Sequence, residues 1–250
     1  MSARAVLAQA RLETRLLLRS SESLLVTLGI PVGVLVFFSL VPVLPTGDVD
    51  AVTFLVPGVL ALSATATGLV ASAIQTAYER KSGALKLLGT TPLGRRGFVT
   101  AKLLSVLTVL VVQATLVLAI ALGALGWRPA GGPAGVLLAV GAVLMTGLVM
   151  ASFGLLLAGT LTAELTTAVS NALFLVLLLL GGVTVAPEVL PGPMAAVGSA
   201  SPLGAAVSVL RGVLDAIAGA GTAAAGALLV LVGWGAAGTA ATMRTFRWEA

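Results

Sequence analysis

The chain has no cysteine and no histidine, and only 9% of its 250 residues are charged. Without cysteine there is no disulfide framework and no thiolate nucleophile, and without either residue type there is no Cys/His metal site. Without histidine no Ser-His-Asp triad can be assembled, nor an intramembrane protease that uses His as its base. A soluble domain carries about a quarter charged residues, so this chain cannot cover a water-facing surface. Intrinsic disorder is excluded as well, because 58% of the residues are hydrophobic and the mean hydropathy is +1.14. Aromatic residues make up 4%, too few for the girdles of a membrane β-barrel. What is abundant is Gly, Ala, Val and Leu, the usage of packed transmembrane helices. The class that remains is an all-α integral membrane protein.

A hydrocarbon core about 30 Å thick needs about 20 apolar residues in a helix. Six stretches qualify, at about Leu24–Val43, Val52–Ala77, Leu103–Gly126, Gly135–Thr160, Ala168–Val185 and Ala223–Met243. The first starts too late and runs too long for a cleavable signal peptide. The net charge is +5, but the basic residues flank the spans. They read as topology determinants that meet anionic headgroups, not as a nucleic-acid surface. Arg4, Arg11, Arg15 and Arg19 precede span one. Arg80, Lys81, Lys86, Arg95, Arg96 and Lys102 lie between spans two and three, and Arg244 and Arg247 in the tail. Only Arg128 and Arg211 fall on the other side, so both termini are expected in the cytoplasm. The membrane expected is that of a bacterial cell. The whole of 1–250 reads as one membrane domain. The stretch 187–221, broken by Pro187, Pro191, Pro193 and Pro202, is either an outer cap or a re-entrant helix pair, because bare backbone cannot sit in lipid.

Residues 1–23 read as an amphipathic helix lying on the membrane. At 100° per residue Arg4, Arg11, Arg15, Arg19 and Glu22 fall within about 80° of one another. Val6, Leu7, Ala10, Leu12, Leu16 and Leu17 fill the rest, and Glu13 interrupts them and needs a partner or water. Such a helix is either an elbow that couples a partner's motion to span one, or an anchor. No Asp, Glu, Lys or Arg lies near the middle of any span, which argues against an ion-driven carrier. There is no GxxxxGK[ST] loop for ATP, so energy for uphill transport must come from a separate protein. In span two Gly58, Ala61, Thr65, Gly68, Ser72, Gln75 and Glu79 share one face, which serves helix packing or lines a path. Asn171 is the most polar group near the inner half of span five, a ligand contact or an interhelical hydrogen bond. Gly147, Ala151, Gly154 and Ala158 in span four mark helix packing.

The loop after span two, 79–98, is the most informative stretch. It holds a short helix carrying Leu85, Leu87 and Leu88, stopped by Gly89 and Pro92. Leucines on such a helix seek a groove, or rest on lipid. Here the sequence resembles the membrane subunit of ABC-2-type exporters. The likeness is carried by Glu79-Arg80-Lys81-x-Gly83-x-Leu85-x-x-Leu88 with Thr91-Pro92-Leu93 and Lys102. It continues in Gly181-Gly182-Val183-Thr184-Val185-Ala186-Pro187-Glu188-x-Leu190-Pro191, and in Ser201-Pro202-Leu203 with Leu210-Arg211. It departs where Lys81 and Lys86 replace acidic residues usual in the family's loop.

The resemblance implies two permease chains, each docked through its cytoplasmic coupling loop on an ABC ATPase subunit. It places Glu79, Arg80, Gly83, Leu85, Leu88 and Pro92 in that coupling. Thr65, Ser72, Gln75, Asn171 and Phe174 become pathway candidates, and Pro187, Glu188, Pro191, Pro202 and Arg211 candidates for an extracellular gate. The chain itself is expected to perform no chemistry and to need no cofactor. Apolar walls with scattered hydroxyls suit an amphipathic or hydrophobic small molecule, a drug or antibiotic, moved out of the cell. Export of a lipid or lipid-linked glycan, and a non-transporting scaffold or sensor, are the alternatives.

Overall fold

The computed structural model describes residues 3–19, 25–41, 50–89, 91, 93–183, 191–214 and 220–245. Among them there are helices and no strand. Helix α1 is Ala3–Arg19. A wide π turn at Leu25–Gly29 leads into α2, Ile30–Leu40. Helix α3 runs Ala51–Lys81 and is interrupted by a second π turn at Ala66–Ala71. Helix α4 is Ala84–Gly89. Helix α5, Gly94–Ala119, ends in a third π turn at Ile120–Ala124. Helices α6, Gly132–Thr160, and α7, Ala163–Leu180, follow. Helices α8, Gly192–Ala200, and α9, Pro202–Leu214, form a pair bent by 79°. Helix α10 is Ala220–Thr245.

Five of these, α3, α5, α6, α7 and α10, are long and apolar enough to cross a membrane, and they coincide with the second to sixth expected spans. Span one is described only in part, since its expected ends at 24 and at 42–43 lie outside the described residues. Its apolar helix among the described residues is Thr27–Leu40. Starts are set by local chemistry. The Asp50 carboxylate accepts from Thr53 N at 3.3 Å to cap α3, and the Thr162 hydroxyl accepts from Leu165 N at 3.4 Å to cap α7.

Helix α3 is the central member. Its most apolar stretch is 89% buried, against 28% for α7 and 11% for α10. The small-residue face of α3 meets the small residues of α6. A Cβ at Gly68 would lie 2.5 Å from Gly147 O, and one at Gly154 would lie 2.5 Å from Ser72 Oγ. Side chains are absent where the two backbones come closest, as membrane helix pairs require.

The α8–α9 pair enters the bundle. The Trp234 indole N–H donates to Ala200 O at 2.8 Å, at the bend of the pair. Trp234 lies 14 residues past the first residue of α10, about 21 Å along a helix of 1.5 Å rise. Leu203, Leu210 and Leu214 of α9 are buried among α3, α6 and α10. Of the two arrangements open for this segment, its second arm is buried in protein. The other end of α9 returns to the start of α6, where Gly131 N donates to Leu214 O at 2.8 Å.

Candidate functional site

The loop after α3 is built around Gly83, whose φ of +79° lets the chain turn without a Cβ penalty. Before the turn, the Arg80 guanidinium donates to Leu161 O and Lys81 pairs with Glu164, so both basic residues hold the α6–α7 turn. After the turn, α4 divides its leucines. Leu85 is 1% exposed, in an apolar cluster with Val6, Ala10, Leu93, Phe98 and Ala101. Leu88 is half-buried beside that cluster, and Leu87 is 72% exposed. The sequence alone groups all three as seeking an outside groove. Helices α1 and α5 together already provide one for Leu85, and Leu87 is the side chain presented outward. Pro92 lies outside the described residues.

Glu13 finds its partner in Lys102, and both are 1% exposed. Lys102 Nζ donates to Glu13 Oε2 at 2.7 Å and to both Glu79 oxygens at 2.8 Å. Gln75 Nε2 donates to Glu13 at 2.5 Å and to Glu79 at 3.0 Å, and Gln9 Nε2 donates to Glu13 at 2.8 Å. One ammonium thus serves two carboxylates from helices 66 residues apart in sequence. Buried ions of this kind are tolerable only with all partners in place. Glu79 and Gln75 therefore face inward to α1 and α5. The sequence reading treats Lys102 as a topology charge. The signal pointing to its real surroundings is Glu13 on an apolar helix face.

A second polar node lies deeper. Gln113 Nε2 donates to Thr27 O at 2.7 Å and to the Thr67 hydroxyl at 2.8 Å. It joins the π turn ahead of α2 to the π turn of α3, with Gln113 itself buried in mid-α5. The sequence reading misses it, because an uncharged glutamine passes a search for ionisable groups.

Three of the pathway candidates, Thr65, Ser72 and Phe174, are buried within the chain. Thr65 and Ser72 are buried where α3 packs into the bundle, and their hydroxyls donate to Ala61 O at 2.9 Å and to Gly68 O. Phe174 is buried in the main core, and Asn171 is exposed on the outer face of α7. At the far end Pro191 and Pro202 open α8 and α9. Arg211 donates to Gly182 O at 2.8 Å with its guanidinium 4.5 Å from the Phe54 ring centre. Pro187 and Glu188 lie outside the described residues.

A cavity of about 410 Å³ opens between α3, α6, α7, α10 and the bent pair. Leu69, Met150, Phe153, Val176, Leu177 and Trp234 form much of its wall. The polar groups at its edge are occupied. Trp234 donates to Ala200 O, and the Ser201 hydroxyl donates to Gly198 O at 2.6 Å. Among the described residues no group of three or more acidic side chains is placed to hold a metal.

A bundle of membrane-length helices with an internally anchored basic loop after α3 defines a polytopic membrane protein. The family model described as ABC-2 type transporter matches residues 4–214, and the chain belongs to that family. It is the membrane component, the permease subunit, of an ABC transporter. No curated protein matches the sequence.

Proposed function

We propose that the chain exports an amphipathic or hydrophobic small molecule from a bacterial cell, driven by a separate ABC ATPase. In this reading the termini and α4 face the cytoplasm, and the bent pair faces outward. A second permease chain completes the path, with Asn171 on the exposed face of α7 available to it. The observation that carries the cargo class is the cavity of about 410 Å³, whose size is that of a small-molecule pocket and whose wall offers no unspent polar group. A hydrated glycan would meet nothing there to replace its water. The face of α4 bearing exposed Lys86 and Leu87 is the one available to the ATPase, and Lys86 favours an acidic groove.

Reconstitution into vesicles with the ATPase tests the reading. ATP hydrolysis stimulated by an amphipathic cargo, with outward flux, is expected. Hydrolysis that ignores every such cargo, without flux, would favour the scaffold. In the same assay Leu87→Asp is expected to uncouple hydrolysis from flux while the chain still inserts. Undiminished flux would remove the outward face of α4 from the mechanism.

A further inference from the structure

Amphipathic α1 has three faces, not two. Val6, Ala10, Glu13 and Leu17 are buried, whereas Leu7, Leu12 and Leu16 point outward. The buried face lies mainly along α5, and its upper part shares the apolar cluster that holds Leu85 of α4. At the centre of this face Glu13 meets Lys102. At the next residue of α1, and one turn on along α5, the Thr14 and Ser105 hydroxyl oxygens lie 3.1 Å apart, within hydrogen-bond reach. Helix α1 is therefore tied to the ends of spans two and three by charge, by hydroxyl and by hydrocarbon.

We propose that Glu13, Lys102 and Glu79 form a permanent strut that makes α1, α4 and the adjoining ends of α3 and α5 one rigid body, so that α1 travels with spans two and three. Lys102 and Glu13 are positioning residues in this scheme. The reason is electrostatic. If α1 swung away, Glu13 would leave the buried ammonium, and Lys102 and Gln75 would each lose a partner in a place with little water. Gln75 reinforces the tie by donating to both carboxylates, and its own Oε1 is left without a partner. The amide orientation is thus set by the carboxylates. A helix that detached in each cycle would repeatedly expose this arrangement. A helix that stays put transmits displacement of α4 directly.

The chain lacks cysteine, so a pair introduced at Thr14 and Ser105 reports this contact alone. The first arm uses the full chain in lipid nanodiscs, without ATPase, and follows disulfide formation under mild oxidant. The parent pair is expected to cross-link readily. Lys102→Met is expected to slow it about tenfold or more, and Glu13→Gln less. The charge exchange Glu13→Lys with Lys102→Glu, which keeps one cation between two anions, is expected to restore the rate to within about twofold. Unchanged rates in both single variants, or no restoration by the exchange, would overturn the strut. If Lys102→Met does not fold, Glu13→Gln and the exchange decide the same question.

The second arm rests on the exporter reading and adds the ATPase and an amphipathic cargo. The cross-linked chain is expected to keep its cargo-stimulated hydrolysis to within about twofold, since a rigid body has no need to open. A loss of tenfold or more that reductant reverses would show that α1 must separate, and would overturn the proposal. If the uncross-linked parent shows no stimulation, the exporter reading fails, and the first arm still decides the strut.

Discussion

The two ends of this bundle are held by different physics. At the basic end, helices distant in sequence are registered by Lys102 set between Glu13 and Glu79, with Leu85 sealed beneath α1. At the hairpin end, beside the ties of Arg211 and Trp234, the closest packing is set by the absence of side chains. A Cβ at Gly198 would lie 2.1 Å from Leu180 O, and one at Gly204 would lie 2.0 Å from Gly198 O. The first arrangement depends on charge and is satisfied by any geometry that returns a cation to two anions. The second depends on backbone proximity and admits no added atom. A chain with few charges spends several of them at the end where helices must be aligned without close backbone contact.

The comparison breaks most visibly at Lys102. Lys102→Met leaves two carboxylates buried without their cation and is expected to cost about 3–5 kcal/mol, read as lost thermal stability in detergent. Glu13→Gln, which keeps the Lys102–Glu79 pair, is expected to cost clearly less. Equal melting of Lys102→Met and parent would mean the cluster registers nothing. Leu85→Ala is next, at about 2–5 kcal/mol for a buried leucine. Leu87→Ala, exposed on the same short helix, is expected to stay within about 0.5 kcal/mol in the same melt.

At the hairpin end Gly204→Ala is expected to cost about 1–3 kcal/mol through collision with Gly198 O. Gly141→Ala, with open space around it in mid-α6, should be neutral or stabilise by up to about 1 kcal/mol. Similar gains at both glycines would show that helix propensity, not contact, governs this end. The smallest effect at the hairpin falls on Trp234→Phe. Losing the donation to Ala200 O is expected to cost about 0.5–1.5 kcal/mol, seen as a modest drop in melting temperature.

Much of the fold is legible in the sequence because membrane spans announce themselves by composition. Five expected spans reappear as helices, and the bent pair falls inside the proline-broken stretch between spans five and six. The site was legible only in part. Glu13 reads as a residue needing a partner, but nothing in linear order names Lys102, 89 residues away. Leu85 and Leu87 look alike until the groove under α1 is in view. Thr65 and Ser72 read as packing first and as path second, and the depth at which they are buried required α6.

Taken alone, the order of residues determined what this protein could be: few charges and long apolar runs admit only a helical membrane bundle, since lipid solvates neither charge nor bare backbone. Which charges are used internally, which leucine faces out and how deep the bent pair reaches were decided by tertiary structure. Those outcomes depend on which helices become neighbours, and a residue's surroundings in a bundle are set by contacts that separation along the chain does not encode.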